Sequence, residues 1–264
     1  MQFHAIQHDV VQGNIAETRV TVEALITSAK PASDDFVVLQ EMADTGWSME
    51  LNQIAGVGTL EWACSIAQQF GVWIQVGWAD SVESRGKNCV SICSPKGEET
   101  TRYTKMFTCN PLNENKYFDA GNEIAILHIG EMTVCPLICY DLRFPELWRL
   151  AALEGVDVFT ESSSWPRPRI HHWNTLLSAR AIENQAFVVG CNRSGEDAIA
   201  QWGGSSRIIS PLGRILAEAP ETGNHVVSAQ VDYQKARQWR ESFAAMEDIR
   251  KELLGNSKVT HYYA

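Results

Sequence analysis

Three ionisable side chains stand where apolar runs of the sequence stop. Glu41 closes "FVVLQE", Lys105 follows "TTRYT", and Cys139 closes "CPLIC". A group at the end of a strand sits on the rim of a rigid scaffold, where chemistry is usually presented. A thiol, a carboxylate and an ammonium also make a coherent chemical set. A free thiol is mostly protonated at neutral pH, and a nearby cation favours the thiolate. A carboxylate can take the thiol proton, pass it to a leaving amine, and then activate water. An ammonium and a backbone N–H after the cysteine can receive the oxyanion of a tetrahedral intermediate.

The elements that must position these groups alternate between apolar runs and helical periodicity. "FHAIQHDVV" reads as a first strand, and Val22, Leu25, Ile26 and Ala29 share one helical face. "DDFVVLQE" is a short buried strand, followed by a helix carrying Ala63, Ile66, Ala67 and Phe70 and capped by Gly71. "VWIQVGWA", "NCVSICSP" and "TTRYTKMF" read as strands, and a polar loop spans Thr108 to Gly121. "EIAILHIGEMTVCPLICY" predicts a hairpin turning at Gly130-Glu131, and Pro145 suits the first turn of a helix that Gly155 stops. "VDVFTESSS" is a strand, and "HHWNTLLSARAIENQ" puts Trp173, Leu176, Leu177 and Ala181 on one helical side. "AFVVGCNRSG", "SSRIISPLGRILAEA" and "HVVSAQVD" make the second half strand-rich, and "YQKARQWRESFAAMEDIRKELL" predicts a charged terminal helix. No linker or short-period repeat divides the chain. One α/β domain over residues 1–254 is expected, with mixed sheets flanked by helices and a polar tail at 255–264, either loose or an arm on a neighbour.

Composition narrows the partners. With 264 residues the chain can bury a sizeable core, and a formal charge of -10 argues against a broad nucleic-acid or anionic-membrane surface. No apolar stretch reaches the roughly eighteen residues needed for a membrane span, and the start "MQFHAIQHDVVQGN" lacks the marks of a signal peptide. A cytoplasmic protein with reduced thiols is expected. Cys89 with Cys93, and Cys135 with Cys139, share a four-residue step, but in strands that step only places two residues on one face. No CxxC knuckle or clustered histidine completes a zinc set, so no metal and no cofactor are expected.

Taken together the residues resemble the nitrilase superfamily of carbon–nitrogen hydrolases. The resemblance covers nearly the whole chain, from "QHDVVQGN" through "LQEMADTGWSM", "YTKMF" and "ICYDLRFPELW" to "HHWNTLLSARAIENQAFVVGCNRSG" and "IISPLG". The element from Glu41 to Met49, the Trp165-Pro166 pair and "ARAIENQA" make the chain look most like the bacterial ω-amidase-type branch. Four such motifs in order are far more specific than any one. The resemblance implies a four-layer αββα sandwich, usually a homodimer or higher homo-oligomer. It implies Glu41 as general base, Cys139 as nucleophile, and Lys105 as the oxyanion and orienting group. Tyr140 would lend its backbone N–H to the oxyanion, and Glu114 would position substrate and Lys105. It further implies a cofactor-free amidase acting on ω-amides of α-keto acids such as 2-oxoglutaramate. Other branches with the same triad are the nearest alternatives: nitrilase, N-carbamoyl hydrolase or deaminated-glutathione amidase. A non-catalytic binding protein on the same fold is more distant.

Two departures stand out. Gln40 replaces the proline often found before the glutamate, and Ser164 replaces the asparagine common before Trp-Pro. The second falls near the expected acyl pocket, with Trp165 as its wall and Arg169 and Arg193 as possible binders of a substrate carboxylate. Asp141 and Arg143 are expected to pair locally and fix the turn after the cysteine. The remaining six cysteines are expected to pack. His171 and His172 raise a papain-like alternative, but they begin a helix, where surface or helix-start roles are expected.

Overall fold

The computed structural model describes residues 1–82, 85–253 and 258–263. The chain begins with β1 (Gln2–Gln7), α1 (Ile15–Ala29), β2 (Phe36–Val38), α2 (Leu51–Ile54) and α3 (Thr59–Phe70). Then follow β3 (Trp73–Val82), β4 (Arg85–Cys93), β5 (Glu99–Thr104), β6 (Glu123–Ile129), β7 (Met132–Ile138), α4 (Pro145–Leu153) and β8 (Val158–Ser163). The last elements are α5 (Ile170–Asn184), β9 (Phe187–Asn192), β10 (Arg207–Ile209), β11 (Ile215–Glu218), β12 (His225–Gln230), α6 (Tyr233–Ser242) and β13 (Lys258–Tyr263).

The strands form two mixed sheets, one of six in the order β12-β1-β2-β3-β4-β5 and one of seven in the order β11-β10-β9-β8-β7-β6-β13. The sheets stack face to face through Phe3, Phe36 and Val38 against Leu127, Val134, Val158 and Val189. Helices α1 and α3 cover the six-stranded sheet with Val22, Ile26, Ala63 and Ile66. Helices α4 and α5 cover the other with Leu147, Trp148, Trp173 and Leu177. The result is the expected αββα order of layers. Continuous apolar runs such as β7, buried at every residue, are what a strand needs when both faces are covered. Each large aliphatic or aromatic side chain taken from water there stabilises the fold by about 1.5–3 kcal/mol.

Local signals match the elements they punctuate. Asn14 accepts the backbone N–H of Glu17 at 3.2 Å as the N-cap of α1, Pro145 opens α4, and Gly71 ends α3 at φ 65°. The expected terminal helix stops at Ser242, well short of its predicted end. Tertiary contacts explain the early stop: Gln185 donates to the Phe243 carbonyl at 2.8 Å, and Arg149 approaches the Met246 sulfur at 2.8 Å. Of the segment read as a tail, residues 258–263 pair in parallel with β6 from Glu123 to His128, while 254–257 and 264 lie outside the described residues. No helix among the described residues is long and apolar enough to cross a membrane.

A polar seam joins the two sheets. Gln75 on β3 donates to Ser162 Oγ at 2.9 Å and accepts from Thr160 Oγ1 at 2.5 Å, and Ser162 Oγ donates to the Leu39 carbonyl at 2.6 Å. Buried groups of this kind must be paired to be tolerated, so the seam fixes how the sheets register.

Candidate active site

The site lies beyond the carboxyl ends of β2, β5, β7 and β8, where a crevice forms naturally outside sheets of this type. The six-stranded sheet supplies Glu41 and Lys105, and the seven-stranded sheet supplies Cys139 and Ser164. Strand β2 ends at Val38, so Glu41 sits in a tight turn rather than on the strand itself, and Met42 after it has φ 48°. Close approach of β3 holds this turn. A Cβ on Gly77 would lie 2.5 Å from the Gln40 carbonyl oxygen and 2.6 Å from the Glu41 Cα, so only glycine fits. The Ala43 N–H donates to the Gly77 carbonyl at 2.8 Å across the same contact.

Cys139 follows β7 directly and begins a 3-10 turn over Cys139–Arg143. Its φ of 45° is left-handed, a costly conformation for a residue with a Cβ and one that clusters at functional sites. The turn is fastened from outside. Asp141 accepts from Tyr103 Oη at 2.7 Å, from the Phe107 N–H at 3.0 Å and from the Ile138 N–H at 3.1 Å. Arg180 on α5 donates twice to the Leu142 carbonyl, at 3.1 and 2.7 Å. Burial pushes the Asp141 carboxyl up to about 7, against the pull of Lys105 and the Tyr103 hydrogen bond.

Beneath Cys139 lies a buried charge cluster. Lys105 Nζ is 2.8 Å from Glu41 Oε1 and 3.1 and 3.0 Å from the two oxygens of Glu114. Asn88 Nδ2 donates to Glu41 Oε1 at 2.7 Å and to Glu114 Oε1 at 2.8 Å, bracing the two carboxylates. The Cys109 N–H donates to Glu114 Oε2 at 2.6 Å, and the Ser164 N–H to Glu41 Oε2 at 3.0 Å. Burial alone would lower the Lys105 pKa, but the charges of Glu114 and Glu41 outweigh it and hold the ammonium well above its ordinary range. Burial, and then the charge of Glu41, push the Cys139 thiol well up, and Lys105 only partly offsets them. The Cys139 sulfur lies 3.9 Å from the Ser164 carbonyl oxygen. Such a thiol reacts by handing its proton to a base as it attacks. Glu161 on β8 is buried with no hydrogen-bond partner for either oxygen among the described residues, and burial followed by the charges of Asp141 and Glu41 hold it well above the carboxylate range.

A cavity of about 450 Å³ opens above this cluster. Lys105, Cys139, Tyr140, Ser164, Trp165 and Arg169 all line it, so these sequence-predicted residues come together. Glu41 and Glu114 lie fully buried below them. Arg193 does not join them. Its side chain is 0% exposed, paired with Asp197 at 2.7 Å, and lies under Trp202 at 4.9 Å from the ring centroid. Trp202, which lines the cavity, covers that guanidinium, so Arg193 is buried behind it and not on the cavity wall, unlike the expectation from sequence. The expected Asp141–Arg143 pair is also absent: Asp141 faces Tyr103, while Arg143 turns into the cavity beside Trp165. Asn88 escaped the sequence reading, although an amide side chain inside the apolar run "NCVSICS" was a signal.

The carbon–nitrogen hydrolase family profile matches residues 5–241. A 2-oxoglutaramate amidase of Bacillus subtilis is 35% identical over 253 residues, 94% of this chain and 97% of that protein. The omega-amidase YafV of Escherichia coli is 36% identical over 217 residues, 81% of this chain and 84% of its own. The structure of XC1258 from Xanthomonas campestris, a CN-hydrolase superfamily protein with an arsenic adduct in its active site, superposes with a TM-score of 0.86 at 27% identity over 98% of both chains. With this match over most of its length, the chain belongs to the carbon–nitrogen hydrolase family.

Proposed function

We propose that the protein is an ω-amidase that hydrolyses a small linear amide, such as 2-oxoglutaramate, to a carboxylate and ammonia. The observation that carries this reading is the buried Glu41–Lys105–Glu114 cluster set directly beneath a cavity-lining thiol. Glu41 takes the Sγ proton as Cys139 attacks the amide carbon. The resulting oxyanion is received by Lys105 and the Tyr140 backbone N–H. Collapse breaks the C–N bond, and Glu41 gives its proton to the departing nitrogen, which leaves as ammonia. Water then loses a proton to Glu41 and attacks the thioester, and that proton returns to the sulfur as the carboxylate is released. Glu114 acts as a positioning residue that, with Asn88, fixes Lys105. The names of the Bacillus subtilis and Escherichia coli relatives support the substrate class.

The same proposal includes a cytoplasmic location, one catalytic domain whose seven-stranded sheet takes in β13 rather than ending at residue 254, and a homodimer or higher homo-oligomer. Ile182 on α5, 54% exposed and packed against Gly213, and Leu212, 50% exposed and next to that glycine in the chain, support an apolar contact between copies. Ammonia release across ω-amides, nitriles and carbamoyl amino acids tests the activity, with Cys139→Ala as the blank. Turnover of 2-oxoglutaramate that vanishes in the folded variant is expected. Turnover of nitriles alone, or undiminished ammonia release from Cys139→Ala, would overturn the reading.

A further inference from the structure

Beyond Cys139 the chain has six cysteines, and two of them meet. Cys64 Sγ on α3 lies 2.6 Å from Cys93 Sγ at the end of β4, closer than non-bonded heavy atoms normally rest. Other thiols meet oxygen instead: Cys89 lies 3.7 Å from Thr104 Oγ1, and Cys191 donates to the Ile6 carbonyl at 3.2 Å. The backbone brings positions 64 and 93 together from two sides. Ala63 and Ala67, small residues of α3, pack in the same apolar cluster as Cys93 and let the helix lie close on the sheet. The turn after β4 reaches the helix at Gly97, where a Cβ would lie 3.1 Å from the Cys64 carbonyl oxygen. Little movement therefore separates contact from bond. Cys93 is buried and Cys64 is half-buried, so a reagent reaches the pair through Cys64.

From this contact we infer that Cys64 and Cys93 form a reversible disulfide that staples α3 to β4, with a small disulfide such as oxidised glutathione as co-reactant. Cys64 loses its proton to solvent and its sulfur attacks one sulfur of the small disulfide. That S–S bond breaks, and one glutathione thiolate leaves and takes a proton from solvent. Cys93 then attacks the Cys64 sulfur, the mixed disulfide breaks, and the Cys93 proton goes to the second departing thiolate. Two protein thiols are oxidised to one disulfide, and one glutathione disulfide is reduced to two thiols. Burial, and beyond it the charges of Glu99 and Glu61, hold the Cys64 thiol above its ordinary range, so the first step is slow and proximity makes the second fast. In a reducing compartment such a bond is transient. While it lasts it joins residues 29 apart in sequence and takes freedom from the unfolded chain. It also anchors the strand whose Asn88 braces Glu41 and Glu114.

The test uses the full chain carrying Cys139→Ala, which keeps the cavity thiol out of the reaction. The protein is treated with oxidised glutathione, its remaining thiols are alkylated, and it is digested without reduction. A peptide linking Cys64 to Cys93, released by dithiothreitol, is expected. Cys64 that keeps a bound glutathione while Cys93 is alkylated, or no link at all, would overturn the inference. The oxidised protein should also melt about 5–10 °C above its reduced form, and neither Cys64→Ser nor Cys93→Ala should show that rise. An equal rise in those variants, or a linked peptide without any rise, would overturn the staple.

Discussion

Lys105 and Arg143 both face the cavity above Cys139, yet their surroundings are opposite. Lys105 is 1% exposed and meets three carboxylate oxygens within 3.1 Å, with Asn88 bracing the acids around it. Arg143 is half-buried, stacked on Trp165 with a histidine nitrogen beside it, and forms no ion pair among the described residues. The floor is a closed set in which each charge satisfies another, so its geometry is fixed before substrate arrives. The rim holds positive charge in reserve for whatever enters. On the proposed mechanism the chemistry belongs to the floor, and substitutions at the two levels should read out differently.

The sharpest break is Lys105→Met, which leaves Glu41 and Glu114 facing each other without a cation. Stability should fall by about 3–5 kcal/mol in urea unfolding, with amide turnover down roughly 1,000-fold or more. Arg143→Met should cost only about 0.5–1 kcal/mol, the scale of one partly exposed cation–π contact. Comparable stability losses in the two variants would erase the distinction between floor and rim. Gly77→Ala tests the floor's geometry without changing a charge. Its methyl would push on the Gln40–Glu41 backbone, so about 1–3 kcal/mol of stability should go, together with kcat rather than KM. A variant that keeps full kcat would show that Glu41 tolerates displacement.

A pH-dependent effect concerns the thiol itself. Burial and Glu41 raise the Cys139 pKa in the folded protein, so the unfolded chain ionises first as pH climbs past about 8.5. Folded-state stability should therefore fall with rising pH by at most about 1.4 kcal/mol per unit from this group, and Cys139→Ala should lack that share. Urea unfolding at pH 7.5 and 9.5 checks the sign. A gap between wild type and variant that does not move would mean that Lys105, not Glu41, governs the sulfur.

The floor was largely legible in the sequence because its groups end apolar runs, and such runs announce strands without help from distant contacts. Glu41, Lys105 and Cys139 could be singled out on that ground, and the layered fold followed from the family resemblance. The rim was not legible. Arg143 beside Asp141 suggested a local pair, but Asp141 is taken by Tyr103, 38 residues away, which frees the guanidinium for the cavity. Arg193 looked available until Asp197 and Trp202 enclosed it. The left-handed backbone at Met42 and Cys139 has no composition signal at all, since neither is glycine. The end of α6 has the same kind of cause: Gln185, remote in sequence, captures the Phe243 carbonyl.

Glu41 and Lys105 belong to one sheet and Cys139 to the other, so the proposed reacting groups exist as a set only while the layers are in register. The Gln75–Thr160–Ser162 seam sets that register. The pocket is in effect a gauge of how the two halves dock, and its tolerances are those of an interface rather than of a single loop. A substitution that slides one layer by a fraction of an ångström, anywhere along the seam, would detune the chemistry without touching any reacting atom.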